Sequence, residues 1–264
     1  MVTSIAFVSL FAAIGRAEAG NDGRWDARLT AVSGEVRVIA ADDGGPALAE
    51  AGLPLDEGDR IQVGDGGSAE IALDGTSVMS LGPGADFTLT ALSKAKAQFA
   101  LAFGLLLAKI QHLGEPRLSV RAPAAVAAVR GTELGVSVGA AGFTRVAVFD
   151  EGLVDVDGVF GGKAVLRPRQ ESAAGFGAKS SPERPMKFFT SRRAAMRALA
   201  ARLATIRKGW KALTPEEREG LRHDELQRLR AELEQRQDEL RSRQQRRRAA
   251  QQRLNRGERA VGHP

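Results

Sequence analysis

Residues 123–158, PAAVAAVRGTELGVSVGAAGFTRVAVFDEGLVDVDG, decide the fold. They hold three apolar runs of strand length punctuated by glycine. Residues 129–138 (VRGTELGVSV) put Leu134, Val136 and Val138 on one face of an extended chain; residues 144–149 (TRVAVF) and 153–156 (LVDV) follow. Alternation with period two and glycine between the runs predict a meander of short, half-buried strands. Gly139 and Gly142 bracket one turn, and Asp150-Glu151-Gly152 reads as a tight hairpin that uses glycine at positive φ. The stretch offers no nucleophile, metal cluster or phosphate loop.

The same pattern extends upstream. Residues 29–41 form a first strand with Val32, Val36 and Val38 at even spacing; residues 60–63, 69–73, 77–81, 87–92 and 118–122 give further strands. Residues 98–113 carry a short apolar run that period alone leaves open between strand and helix. Residues 163–170 add a last strand, with Pro168 suited to an edge. Many short strands without long helical patterns between them predict a mainly β fold, a multi-stranded antiparallel β-sandwich or coiled β architecture, rather than a parallel α/β sheet.

Several of these pieces, in this order, resemble the FecR domain. They are Val32-Ser33-Gly34-Glu35-Val36, LDEGDRIQV (55–63), SAEIALDGTSVMSL (68–81) with Pro83 and Phe87-Thr88-Leu89, VRGTE (129–133) and EGLVDV (151–156). The resemblance spans about residues 29–159 and implies two strands meeting at Gly104 within residues 98–113. The best-known members of that family are transmembrane anti-sigma regulators whose periplasmic domain meets an outer-membrane transporter. The form resembled here is the exported stand-alone domain, without an anti-sigma segment or membrane helix. Arg130, Gly131, Thr132 and Glu133 are the family-signature residues and the candidate partner contact. A glycine bend between strands, with Arg130 and Glu133 meeting their neighbours on the sheet, explains the same four residues structurally.

The N-terminus speaks to compartment. Residues 5–14 (IAFVSLFAAI) are an apolar run of signal-peptide length, and Ala17-Glu18-Ala19 offers a cleavage site before Gly20. The expectation is a cleaved signal peptide over 1–19, a polar lead over 20–28, and a periplasmic or secreted protein. The absence of cysteine removes disulfides and thiolate chemistry. No later stretch reaches the roughly 18 apolar residues of a membrane helix.

Beyond residue 175 the composition changes. Residues 171–190 read as a linker and 191–256 as a coiled-coil-like helical arm, with 257–264 a disordered tail. Met196, Leu199, Leu203, Ile206, Trp210 and Leu213 recur at spacings of three and four. Thr214-Pro215-Glu216-Glu217 is a helix start, with threonine as N-cap and glutamate at the third position. Leu226, Leu229, Leu233 and Leu240 line the second helix. Residues 186–264 carry 21 Lys+Arg and 10 Asp+Glu, a net of +11; residues 1–185 carry 17 and 22, a net of −5; together they give the chain's +6. The basicity therefore belongs to the arm.

Other chemistries are poorly supplied. Asp42, Asp43, Asp56, Glu57, Asp59, Asp65 and Asp74 sit in turns that favour aspartate, without calcium-loop spacing. His112, His223 and His263 are far apart, so neither a zinc site nor a triad is formed in sequence. The expectation is a non-enzymatic binding or assembly module of the cell envelope, without catalytic residues, cofactor or metal. Its partner would be an envelope protein or an anionic polymer surface, with homo-oligomer contacts through the arm. The competing readings are a carbohydrate-active protein using two converging turn carboxylates and a nucleic-acid binder using the arm.

Overall fold

A computed structural model describes residues 23–111 and 118–261. The expected signal segment, its junction at Ala19–Gly20, His112 and His263 lie outside the described residues. The strands are β1 (Ala27–Ser33), β2 (Val36–Ile39), β3 (Pro46–Leu48), β4 (Pro54–Leu55), β5 (Arg60–Val63), β6 (Ser68–Leu73), β7 (Ser77–Leu81) and β8 (Asp86–Ser93). They continue with β9 (Lys96–Ile110), β10 (Leu118–Arg121), β11 (Ala125–Val138), β12 (Thr144–Gly158), β13 (Lys163–Leu166), β14 (Gln170–Ala174) and β15 (Arg184–Pro185). Two helices follow, α1 (Arg193–Gly209) and α2 (Pro215–Val261).

All strands belong to one hydrogen-bonded sheet, and its registers resolve it into two layers. Three long strands run through both. In the first layer the order is β15, β14, the first half of β12, the second halves of β11 and β9, then β7, β6, β1 and β4. In the second it is β13, the second half of β12, the first half of β11, β10, the first half of β9, then β8, β5, β2 and β3. The β9–β10 pair is parallel, so the sheet is mixed. The apolar alternation explains the layering: Ile71, Met79, Leu106, Val136 and Val146 of the first layer share one core with Val38, Ile61, Phe99, Val120 and Val154 of the second. At roughly 25 cal/mol per Å² of apolar surface removed from water, this shared interior dominates stability.

The creases sit at glycine. Gly104 in β9 has φ +96°, and a Cβ there would lie 2.5 Å from the Ala85 Cα. Gly152 in β12 has φ +101°, and a Cβ there would lie 2.5 Å from the Gly131 carbonyl oxygen. Both positions combine a left-handed backbone with the close approach of another strand, which only glycine tolerates. The second crease corrects an expectation. Asp150-Glu151-Gly152 does not turn the chain back. Residues 144–148 and 154–158 continue in one direction, both paired with β11, with Gly152 opposite Thr132 at a register shift. The glycines let β11 and β12 bend together from one layer to the other.

The stretch 171–190, read as a linker, carries β14, β15 and a 3-10 turn at Phe188–Arg192. Ser181 accounts for this: its Oγ accepts from the Ala173 N–H at 3.0 Å and its carbonyl from the Ser172 hydroxyl at 2.7 Å, tying the Gly/Ser segment to the sheet edge. The helices do not form a hairpin on each other. Met196, Leu199 and Leu203 of α1 pack with Val78, Leu107, Ala147, Phe149 and Phe189 on the outer face of the first layer. In α2, Leu226 and Leu229 join the inner core, and the helix packs on β3 and β4, the outermost strands of the two layers at one end of the sandwich. The helix start is as read: the Glu217 N–H donates to Thr214 Oγ1 at 3.2 Å while the Thr214 N–H donates to Glu217 Oε2 at 2.9 Å. The helix continues to Val261, into the stretch expected as a disordered tail. No described helix is long and apolar enough to cross a membrane.

Candidate functional site

The signature residues Arg130, Gly131, Thr132 and Glu133 lie at the crease of β11. Thr132 is fully buried and its hydroxyl donates to the Glu151 carbonyl at 2.7 Å. Glu133 is buried, accepts the Asp150 N–H at 3.2 Å and lies 3.5 Å from Lys109 Nζ. Gly131 has φ +101°. Arg130 alone faces solvent, donating to Asp155 Oδ2 across the strand pair at 3.1 Å. Three of the four residues therefore hold the bend of β11 against β12, and an exposed pair such as Arg130–Asp155 adds little. What this arrangement does chemically is fix a backbone angle.

The acidic turns meet the basic helix. Asp59 is fully buried in the turn after β4. Its Oδ1 accepts from the Ala41 N–H at 3.0 Å and Arg222 Nη2 at 2.8 Å; its Oδ2 accepts from the Asp56 N–H at 2.8 Å and Arg222 Nη1 at 2.7 Å. Four donors occupy the four lone-pair sites of the carboxylate. Arg222 also donates to the Pro54 carbonyl at 2.9 Å and places Nε 2.8 Å from Asp56 Oδ2. Burial works against its charge, but the hydrogen bonds and field of Asp59 outweigh burial and raise its pKa. Further along, Arg218 binds Asp56, Arg228 binds Glu50 and Arg230 binds Asp43. The Gly45 N–H, opposed by burial and seconded by Arg230, holds the Asp43 carboxyl below its ordinary value. On α1, Arg202 grips Glu70 with bonds of 2.8 and 2.9 Å.

These partners decide what the carboxylates can do. An acid–base pair needs one carboxyl free to hold a proton and one with a lone pair open to substrate or water. Asp56 and Asp59 do converge, but on a guanidinium. Among the described residues, no group of three or more His, Cys, Asp or Glu is placed to hold a metal ion.

The sequence alone did not single out Arg222, which counts there as one charge of the basic arm. Two signals pointed to it. It stands four residues before Leu226, on the stripe that continues through Leu229 and Leu233, and the +11 and −5 of the two segments are complementary. The helix changes character past Leu233, the last buried leucine among those whose burial is described: Leu240 is 57 % exposed, and Arg241, Arg243, Arg246, Arg247 and Arg248 all face solvent. At 100° per residue these five arginines spread over about 220° of the circumference. Among the described residues, no carboxylate pairs with the last four of them.

Residues 59–154, from the Asp59 turn to the second half of β12, match the family model described as FecR protein. No curated protein matches the chain. Two crystal structures of a "putative anti-sigma factor" from Parabacteroides distasonis ATCC 8503 are similar at 16% identity and a TM-score of 0.43. Each comparison covers 50% of this chain and 62% of the other, so the chain spans about three-fifths of the length of those proteins.

Proposed function

With a FecR domain over residues 59–154 as the starting point, we propose that this protein is a non-catalytic, signal-related binding module of the cell envelope. In this reading it is exported through its N-terminal apolar segment and engages its partner with the surface of the sandwich and the projecting end of α2. The observation that carries the non-catalytic part is the state of Asp59: the converging carboxylates of the acidic turns are saturated by Arg222 and backbone donors. That favours a structural use of the acidic turns over carbohydrate chemistry.

The projecting arm favours an anionic partner over self-association. Residues 241–264 hold eight arginines and one glutamate. Pairing two copies along this segment would set like charges side by side, which costs energy and supplies no apolar seam in return. The arginines also leave no apolar face over 241–248, so an anionic polymer or protein surface suits the arm better than insertion between lipids.

The test is fractionation of cells expressing the full chain from its own start, followed by N-terminal sequencing and cross-linking in the envelope fraction. The expected result is a product beginning at Gly20 outside the cytoplasm and a cross-link to an envelope component. An uncleaved protein confined to the cytoplasm sinks the envelope assignment.

A further inference from the structure

The end of the sandwich opposite α2 carries a second, unassigned surface. On the outer face of the first layer, Arg145 of β12 lies between two half-exposed rings, its guanidinium 4.5 Å from the centroid of Phe143 and 4.3 Å from that of Phe188. The surroundings form an open cleft of about 400 Å³ lined by Arg145, Glu171, Arg184, Pro185, Lys187 and Phe188. Glu171, only 2% exposed, is already engaged: it accepts the Phe188 N–H at 3.0 Å and faces Arg184 Nε at 3.4 Å. Among the described residues, no carboxylate pairs with Arg145 or Lys187. The lining thus carries three cations against one anion.

From this geometry we infer that the cleft is a binding site for an extended peptide segment of another protein, one that presents a carboxylate beside an apolar side chain. Rings on either side of a guanidinium cover its faces and leave its edge, the donor fork, to accept a carboxylate bidentately. Phe188 and Pro185, with Phe143 alongside, offer the apolar surface next to that fork. Phe176, 74% exposed and edge-on to Phe160 at 4.9 Å, adds a second exposed aromatic pair next in sequence to Gly175, where a Cβ would lie 3.6 Å from the Phe143 ring. A peptide supplies alternating acidic and apolar groups at the spacing of an extended chain; a polysaccharide acid or a lone phosphate supplies the charge without the apolar neighbour. Backbone pairing is not the means of recognition. The edge strand β15 is two residues long and ends in proline, which protects it from strand addition. Recognition falls to the side chains. The proposal rests on the reading of the protein as a binding module, but not on its export or on the arm.

The test is fluorescence anisotropy of the full chain with a labelled ten-residue peptide of alternating glutamate and leucine, against its glutamine–leucine counterpart, polygalacturonate and inorganic phosphate. Because the arm is also cationic, two sets of variants are compared. Arg145→Gln keeps a planar group between the rings without the charge, and Lys187→Glu leaves the stack untouched. Each is expected to weaken acidic-peptide binding at least about tenfold, the size of one charge-assisted contact. The triple variant Arg246→Gln, Arg247→Gln, Arg248→Gln is expected to change it less than about twofold. Unchanged binding in both cleft variants, loss in the arm variant alone, or equal cleft-dependent binding of polygalacturonate or phosphate would overturn the assignment. A melting curve matching the parent certifies each variant; Lys187→Glu, whose side chain is exposed, decides the matter if Arg145→Gln melts lower.

Discussion

The residue that most rewards attention is Arg222, because its energy is asymmetric. A buried ion pair can be close to neutral as a whole, yet removing one partner strands the other in a site stripped of water. Arg222→Ala is expected to destabilise the protein by about 3–5 kcal/mol, read by urea denaturation. Asp59→Ala should cost a similar amount, and the double variant much less than the sum, since neither charge is then left alone. Additive losses would mean that the two side chains are not a unit. Gly152→Ala tests the crease. With φ at +101° and the Gly131 carbonyl oxygen 2.5 Å from the new Cβ, the substitution should cost at least about 2 kcal/mol; a neutral result in the same assay would remove the crease as a requirement. At this scale the sequence was half legible. The VRGTE glycine announced a bend, because glycine between two strand patterns has few other uses. Asp59 looked like any turn aspartate, because the arginine that buries it comes 163 residues later.

Elements were more legible than their connections. Alternation located most strands, and the Thr214–Glu217 box located the start of α2 to the residue. What alternation could not supply was where a strand ends. Residues 144–158 contain a turn-like Asp-Glu-Gly, and only the facing bend at Gly131 makes it a crease instead of a hairpin. Likewise the leucines of α2 showed an apolar stripe without showing what it meets, since a stripe suits a partner helix and a sheet edge equally well. The docking of α2 makes a pH prediction. Asp43 binds Arg230, and its folded-state pKa lies below the ordinary 3.8. Asp150 is also held low, burial opposing this but the bonds from Arg169 and Arg193 prevailing. A depressed carboxylate pKa contributes stability that is fully present above the unfolded value and lost as pH falls through the folded one. Melting temperature should therefore hold from pH 7 to about 4 and drop below it, and an Asp43→Asn variant should differ from the parent at pH 6 and converge with it as the pH falls well below the ordinary 3.8. A gap that persists unchanged into acid would show that the Asp43 pair does not carry the effect.

At the scale of the whole molecule, charge is divided by position along one helix. Up to Arg230 the arginines of α2 answer carboxylates of the sandwich; past Leu240, Arg241 meets only Asp238 of its own helix, and Arg243, Arg246, Arg247 and Arg248 pair with no carboxylate among the described residues. The two-layer arrangement that creates this division was not legible from the sequence, because it depends on pairings between strands far apart in the chain. The separation of net charge was legible, but its meaning was not: the same +11 could describe a free arm or a docked one. It describes both, in succession. A chain ending at Leu240 loses eight arginines and one glutamate, a net of +7, which takes the whole from +6 to −1. Since every residue of the removed segment whose burial is described is exposed, that truncation should leave the melting temperature within about 2 °C of the parent, as surface changes away from packed contacts usually do. Binding to long-chain inorganic polyphosphate should behave differently. The full chain should bind at 50 mM salt and weaken steeply as salt rises, through release of the counterions that the arginines displace. The truncated chain, now of the same sign as the polymer, should show no such binding at any salt concentration. If truncation lowers the melting temperature by several degrees, or leaves the salt-dependent binding intact, then the end of α2 is part of the folded body after all and the division of labour within the helix is lost.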